Sequence, residues 1–269
     1  MALRNRVLPI LLPAVAACGP GGFEPEAVRA PPEPTVPDTP PDPIVSGAPV
    51  PKFPADGPIR VLLLGNSHVV GLDGIIEALF EHSRPERFVE AERGPFQPTM
   101  REHWQSAESR RALETGNWTH VILQGQRYSQ SETTLFPTDF TRAFIARAKE
   151  RGMVPILFPE HPQRGRMTEA QYIHTIHEGI AQEEPACLAP VGLAWDRVLA
   201  EPEIPSLHDT DGNHASLAGR VLTAVMLHDV LAGSSTDALS GAEVRVADED
   251  LARFEEAVGA TLSDRPPCP

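Results

Sequence analysis

Runs of apolar residues that end in glycine and polar side chains recur along the chain after its first 58 residues. Residues 61–64 are four aliphatic residues in succession, and residues 120–123 repeat the pattern. Such runs are typical of strands buried on both faces, as in a parallel sheet. Apolar residues with helical spacing follow the first run: Val70, Leu72, Ile75, Ile76, Leu79 and Phe80.

The same two patterns, short apolar runs and apolar residues at helical spacing, predict that strands and helices alternate along the chain. Further strands are predicted at 88–91, 153–158 and 188–191, and further helices at 100–113, 140–149, 168–181, 195–199, 215–231 and 248–262. Pro155 lacks the N–H that a central strand donates, which argues against a central position for its strand. The alternation predicts an α/β domain over residues 59–269, a doubly wound three-layer α/β/α sandwich with a mostly parallel sheet.

The N-terminal segment has a different pattern. Arg4 and Arg6 precede an apolar run at 7–15 that is too short to cross a bilayer as a helix, which predicts an export signal. Small residues before Cys18 resemble the lipobox of bacterial lipoproteins. We therefore expect residues 1–17 to be a lipoprotein signal peptide and Cys18 to carry a lipid anchor. An ordinary signal peptide with an incidental cysteine is the alternative.

Thirteen of the forty residues from 19 to 58 are proline. Such a segment cannot bury a core and favours polyproline II. We predict that residues 18–58 are a disordered tether between the lipid anchor and the domain. The protein would then be an exported bacterial lipoprotein, anchored to a membrane in the periplasm or at the cell surface.

The net charge argues against some classes of binding partner, and the number of cysteines indicates a possible disulfide. The formal net charge of −14 argues against nucleic acid and anionic lipid headgroups as partners. Once Cys18 is lipidated, Cys187 and Cys268 remain. In an oxidising compartment an even pair favours a disulfide that ties the C-terminal tail to the domain, and two free thiols are the alternative.

Candidate chemistry begins at Gly65-Asn66-Ser67-His68, directly after the first buried strand. A serine between a central strand and a helix lies at the sheet edge where ligands bind, and a helix N-terminus there favours developing negative charge. Ser67 is therefore a candidate nucleophile. Serine is also a favoured N-cap, which requires no chemistry.

A second candidate, Asp211-Gly212-Asn213-His214, precedes the predicted closing helix. A histidine oriented by a carboxylate can take the proton of a serine that attacks a carbonyl. The alternative is a turn at Asp211 with His214 capping the helix. Asp209 is a weaker candidate for the carboxylate.

The order of these motifs resembles the SGNH (GDSL-like) hydrolase superfamily over residues 59–232. The segments 65–68, 123–126 and 211–214 look like an uncharacterised bacterial lipoprotein branch that carries Gly-Asn-Ser, Leu-Gln and Asp-Gly-x-His-Pro. The resemblance implies acyl transfer to water through a serine ester, without metal or cofactor. It would make Ser67 the nucleophile, His214 the general base and Asp211 the group that orients His214.

The resemblance also implies an oxyanion hole made of the Ser67 N–H, a glycine N–H after the second strand and an amide side chain after the third. Gln124 holds the amide position, and Gln126 is the other candidate. The second block is altered because Pro98, which has no N–H, precedes the matching stretch at 99–103. Gly94 would supply that donor, or the donor is missing.

The other ionisable residues give weaker signals. His174 and His177 share a helix face with Glu178 beside them. Such a group could bind a metal, but no third ligand is apparent, so we expect a solvated face and predict no metal site. Four residues fall near the predicted carboxyl edge of the sheet and are candidates for lining a pocket: Tyr128, Glu160, His161 and His103.

These patterns predict a serine esterase that acts on a small ester. An O-acetyl group on a glycan is the favoured substrate, by analogy with the superfamily. The competing hypothesis is a non-catalytic envelope lipoprotein that keeps the fold and binds a glycan or protein partner, and a purely structural envelope protein is a third. Only an enzyme requires Ser67, Asp211 and His214 to meet at hydrogen-bond distances.

Overall fold

A five-stranded parallel sheet forms the centre of the domain. The computed structural model describes residues 47–52, 56–233 and 239–269; the predicted signal peptide, Cys18 and most of the predicted tether lie outside them. The strands are β1 (Ile59–Leu64), β2 (Val89–Arg93), β3 (His120–Leu123), β4 (Val154–Leu157) and β5 (Cys187–Leu188). Their order is β2-β1-β3-β4-β5, and every pairing is parallel. The predicted doubly wound α/β fold is confirmed.

Helices cover both faces of this sheet. They are α1 (Leu72–Ser83), α2 (Met100–Gln105), α3 (Ala107–Thr115), α4 (Asp139–Glu150), α5 (Glu169–Glu183), α6 (Val191–Leu199), α7 (Leu217–Ala232) and α8 (Asp248–Asp264). None of these helices has both the length and the apolar character needed to span a bilayer. Val61 and Leu63 pack into a core with α1, α6, α7 and α8, whereas Leu62 and Leu64 face α2 to α5. Complete burial of each such side chain contributes about 1.5–3 kcal/mol.

The single helix predicted at 100–113 is two helices. Ser106 separates α2 from α3 with an extended backbone (φ −74°, ψ 118°), and its hydroxyl oxygen accepts a hydrogen bond from the Ser109 N–H. A serine side chain that caps a new helix competes with continuation of the old one. Residues 100–113 contain no glycine or proline that would mark the break in the sequence.

Pro155 argued against a central position for its strand, but β4 lies between β3 and β5. Pro155 is in register with Val121 of β3, while β5 pairs only with Ile156 and Leu157. β5 is therefore too short to place an acceptor opposite residue 155, so the missing Pro155 N–H costs no hydrogen bond with β5. The strand predicted at 188–191 is reduced to Cys187–Leu188, and α6 begins at Val191, earlier than predicted.

The C-terminal tail is attached to the edge strand β5. Cys187 and Cys268 are joined by a disulfide, with their Cα atoms 4.3 Å apart. Beside it, the Leu188 N–H donates to the Pro267 carbonyl oxygen at 2.6 Å. The tail thus satisfies part of the outer side of β5, which has no further strand in the described part of the chain.

Candidate active site

The turn that carries Ser67 leaves the carboxyl end of β1. Ser67 opens a 3-10 helix, Ser67–Val69, whose N-cap is Asn66; the Asn66 side chain accepts a hydrogen bond from the His68 N–H at 3.0 Å. Gly71 follows with φ +79°, and α1 begins one residue later. Ser67 is thus separated from α1 by a short turn of its own, and the capping role belongs to its neighbour.

Ser67, His214 and Asp211 form one hydrogen-bonded chain. His214 Nε2 lies 2.8 Å from Ser67 Oγ, and His214 Nδ1 lies 2.5 Å from Asp211 Oδ2. A carboxylate only accepts hydrogen bonds, so Nδ1 carries the proton of a neutral ring and Nε2 is left as an acceptor. The arrangement allows the Ser67 hydroxyl to give its proton to His214.

The Asp211 carboxylate is held by its own loop. Its Oδ1 accepts hydrogen bonds from the N–H groups of Asn213 and His214, each at 2.9 Å. The bond with the His214 ring, followed by these backbone bonds, lowers the pKa of Asp211 well below its usual range. Asp211 is therefore ionised at neutral pH. The Asp209 carboxylate instead accepts from the Thr210 N–H at 2.7 Å.

A stack of aromatic rings supports the loop that bears His214. The His161 ring lies parallel to the Trp195 indole with centroids 3.9 Å apart, and its Nε2 lies 2.9 Å from the Asn213 carbonyl oxygen. Burial, reinforced by nearby His68, lowers the pKa of His161 well below its usual value, so the ring is neutral and donates to that carbonyl. His68 in turn stacks on His214 with centroids 5.6 Å apart. Sequence reasoning missed the support from Trp195 and His68.

The structure does not bring Gly94 and Gln124 into an oxyanion hole. The Gly94 N–H donates to the Leu63 carbonyl oxygen at 2.9 Å and so extends the pairing of β2 with β1. Gln124 is fully buried; its Oε1 accepts from the Asn66 N–H at 2.9 Å and its Nε2 donates to Glu160 at 2.5 Å. Neither residue is in the lining of the cavity beside Ser67.

The other predicted amide, Gln126, is also engaged. Its Nε2 donates to two backbone carbonyls and its Oε1 accepts from the Thr141 hydroxyl at 2.6 Å. The backbone N–H groups of Ser67 and Gly125 are among those in the cavity lining that donate to no acceptor among the described residues. Because one belongs to the nucleophile candidate itself and the other directly follows Gln124, we take these two as the candidates for binding an oxyanion.

The cavity beside Ser67 has a volume of about 340 Å³ and a mainly polar lining. Tyr128 and Glu160 line it, as predicted from their position at the sheet edge, whereas His161 and His103 are buried behind it. Burial, with the neighbouring Glu160 and Glu169 carboxylates, raises the pKa of Tyr128, so its hydroxyl stays protonated. That hydroxyl donates to Glu169 Oε1 at 3.4 Å, so the cavity offers its oxygen and the Glu160 carboxylate as acceptors to a polar substrate.

The expectation that His174 and His177 lie on a solvated helix face is wrong, since both side chains are buried. His177 Nδ1 lies 2.8 Å from the Ile173 carbonyl oxygen of the same helix. Among the described residues, no group of three or more acidic, cysteine or histidine side chains is arranged to hold a metal ion.

Solved structures show which class of protein has this fold. A candidate SGNH hydrolase from Slackia heliotrinireducens is similar with a TM-score of 0.51 and 22% identity, over 64% of this chain and 98% of that one. A DUF4886 family protein from Bacteroides uniformis has a TM-score of 0.58 and 14% identity, over 77% and 95%. No protein family model matches the chain, and neither does any curated protein sequence. The domain has the fold of the SGNH hydrolases, and the resemblance predicted from the motifs is confirmed at that level.

Proposed function

We propose that this protein is a serine esterase of the SGNH type that hydrolyses a small ester through an acyl-enzyme on Ser67. The observation that carries the proposal is the chain of hydrogen bonds from Ser67 Oγ through His214 to Asp211, at the edge of an open polar cavity. A serine, a base and a group that orients the base are the minimum that acyl transfer requires.

In the first half of the proposed reaction, Ser67 Oγ attacks the ester carbonyl carbon while its proton passes to His214 Nε2. The Asp211 carboxylate stabilises the imidazolium that forms. The tetrahedral intermediate collapses as His214 gives the proton to the leaving alcohol. The acyl group is then an ester of Ser67.

In the second half, His214 takes a proton from water as the water oxygen attacks the acyl-enzyme. Collapse of the second tetrahedral intermediate returns that proton to Ser67 Oγ and releases the carboxylic acid. The Ser67 and Gly125 N–H groups are proposed to bind the oxyanion in both halves, because they line the cavity and donate to no acceptor in the described part of the chain. Removal of one such donor typically lowers the rate by about 10²–10³.

The polar lining supports an O-acylated glycan as the substrate class. Amide, hydroxyl and carboxylate groups of Gln130, Gln163, Tyr128 and Glu160 face one cavity and can exchange hydrogen bonds with sugar hydroxyls. Phe96 lies in the same lining with 63% of its surface exposed. An exposed aromatic ring beside polar groups suits the apolar face of a sugar ring.

The test is hydrolysis of p-nitrophenyl acetate by the full chain, with Ser67→Ala beside it. We expect the substitution to abolish turnover, and a fluorophosphonate to label the wild type at Ser67 alone. Equal turnover in both proteins would remove the esterase proposal. The absence of turnover and labelling in a folded wild type would favour the non-catalytic binder, a function to which the engaged Gly94 and Gln124 N–H groups also point.

We also propose that the protein is exported and lipidated at Cys18, on the small residues that precede this cysteine. The test is metabolic labelling with a radioactive fatty acid in cells that express the chain. Label that disappears with Cys18→Ser is expected, and equal labelling of both chains would contradict the proposal.

A further inference from the structure

Both polar atoms of one peptide group, the one that joins Gly65 to Asn66, are held by buried side chains. The Gly65 carbonyl oxygen lies 3.2 Å from His103 Nε2, and the Asn66 N–H donates to Gln124 Oε1 at 2.9 Å. His103 comes from α2 and Gln124 follows β3, and both are fully buried. The peptide immediately before Ser67 is thus fixed from two sides.

The proton positions of His103 follow from its partners. Burial lowers the pKa of His103 to about 4, so the ring is neutral near pH 7 and carries one N–H. A carbonyl oxygen only accepts hydrogen bonds, so that proton is on Nε2 and is donated to Gly65. Nδ1 then accepts from the Ser109 hydroxyl at 3.0 Å. His103 is therefore a defined donor to the peptide group.

The orientation of the Gln124 amide is determined in the same way. The Glu160 carboxylate accepts from Nε2, so the amide nitrogen faces Glu160 and the amide oxygen faces the Asn66 N–H. The close approach also explains Gly65, because a Cβ atom there would lie 2.6 Å from Gln124 Oε1 and 2.7 Å from Val69 Cγ1.

We propose that His103 and Gln124 are positioning residues that fix the Gly65–Asn66 peptide and thereby aim the Ser67 N–H at the substrate oxyanion. This inference rests on the proposed esterase function. Rotation of the held peptide would break two buried hydrogen bonds at once, which is costly when the groups are left without partners. The Ser67 N–H belongs to the next peptide, whose direction is set by the fixed peptide together with the Asn66 side chain. That side chain accepts from the His68 N–H and donates to the Pro98 carbonyl oxygen. The two hydrogen bonds made by His103 and Gln124 should stabilise the transition state, in which the oxyanion forms, and should have little effect on substrate binding.

An exchange of two side chains tests the role of Gln124. Gln124→Glu keeps an acceptor for the Asn66 N–H but sets two carboxylates against each other. We expect kcat to fall about 10- to 100-fold with KM within about threefold. Adding Glu160→Gln restores the hydrogen bond in the opposite direction, because the new amide N–H at 160 can donate to the new carboxylate at 124. We then expect kcat to recover to within about fivefold of the Glu160→Gln single variant. A double variant no better than Gln124→Glu would overturn the inference.

A matched pair of buried histidines tests His103. His103→Leu removes the donor to Gly65, and His103→Gln supplies an amide N–H in its place. His177→Leu is the control, because His177 is equally buried, also contacts a backbone carbonyl and lies on α5 outside the site. We expect kcat to fall about 10-fold or more in His103→Leu, to recover partly in His103→Gln and to stay unchanged in His177→Leu. Equal kcat in the two leucine variants would contradict the role of His103.

Amide hydrogen exchange separates this inference from the esterase proposal. In the Ser67→Ala background, Gln124→Leu should speed exchange of the Asn66 N–H about 10-fold or more, while the strand amides of β1 keep their protection. This readout needs no turnover. Wild-type protein without esterase activity would remove the proposed function and leave the exchange result to decide the positioning. Unchanged Asn66 exchange would overturn the positioning even in an active enzyme.

Discussion

The described part of the domain contains two Ser-His-Asp chains with the same hydrogen-bond order. One joins Ser67, His214 and Asp211 at the cavity. The other joins Ser83 Oγ to His228 Nε2 at 2.9 Å, and His228 Nδ1 to Asp229 Oδ1 at 2.9 Å. Connectivity alone therefore does not distinguish a candidate catalytic centre from a structural contact.

The two chains differ in exposure and in the backbone around the serine. The side chains of His214 and Asp211 are 42% and 48% exposed, whereas those of His228 and Asp229 are 0% and 7% exposed. Ser67 opens a turn and its own N–H has no acceptor among the described residues, whereas Ser83 ends α1, where a helix presents carbonyl oxygens. Carbonyl oxygens repel an oxyanion, so we assign the buried chain to holding α1 against α7.

The largest expected effect separates the two histidines. His214→Ala should lower kcat/KM by about 10³-fold or more and leave the free energy of unfolding nearly unchanged, because the side chain is exposed. His228→Ala should lower the free energy of unfolding by about 2–4 kcal/mol, because it opens a buried cavity and removes the hydrogen-bond partner of Ser83 and Asp229. Ester hydrolysis and urea unfolding of both variants measure this. Loss of turnover by folded His228→Ala would break the comparison.

The next effect concerns the carboxylate of the exposed chain. Asp211→Asn should lower kcat by about 10²–10⁴, because an amide in place of the carboxylate no longer stabilises the imidazolium. Asp209→Asn is the matched control, since the Asp209 carboxylate contacts the Thr210 N–H and no atom of His214. Steady-state kinetics of the pair decide the assignment. A larger loss in Asp209→Asn would transfer the orienting role to Asp209.

The third prediction concerns a change that lowers the stability of the domain and leaves both Ser-His-Asp hydrogen-bond chains unaltered. Cys187→Ser with Cys268→Ser removes the disulfide, which closes a sequence separation of 81 residues. In the chain-entropy model the free energy of unfolding should fall by roughly 4 kcal/mol. At a temperature where the double variant is folded, kcat should equal that of the wild type. Denaturant unfolding and ester hydrolysis measure the two quantities, and a lower kcat would show coupling between the tail and the site.

The last prediction is a pH dependence of stability that arises in the buried regions and leaves the active-site geometry unchanged near pH 7. Burial lowers the pKa of His103, His120 and His177 to about 4. Between pH 6.5 and 4 the unfolded chain binds protons that the folded protein does not, so stability falls as the pH falls, by up to about 1.4 kcal/mol per pH unit for each histidine. Above pH 6.5 this contribution is constant.

Urea unfolding from pH 7.5 to 5 tests this slope before most unfolded-state carboxyl groups take up protons. The control is His177→Gln, which removes one titrating group and should reduce the slope. A stability that does not change between pH 6.5 and 5 would contradict the burial of these rings.

The sequence predicted most of the fold because its signals are local. Uninterrupted aliphatic runs at 61–64 and 121–123 indicated two buried strands, and helical spacing indicated helices. The break at Ser106 and the central position of Pro155 were not predictable. Both depend on contacts between elements. Ser106 ends α2 because its side chain caps α3, and Pro155 is tolerated because the edge strand β5 has only two residues.

For the site, the sequence by itself determined which residues are candidates for the chemistry, since residue type and order placed Ser67, Asp211 and His214 at strand and helix ends. It could not determine which partner each polar group takes. Only the tertiary structure decided that Gln124 binds the turn before Ser67, that Gly94 completes a strand pairing, and that a second Ser-His-Asp chain is buried. Hydrogen-bond partners such as Gln124 and Asn66 are separated by 58 residues in the chain, and their distance is fixed only when the strands that carry them pair.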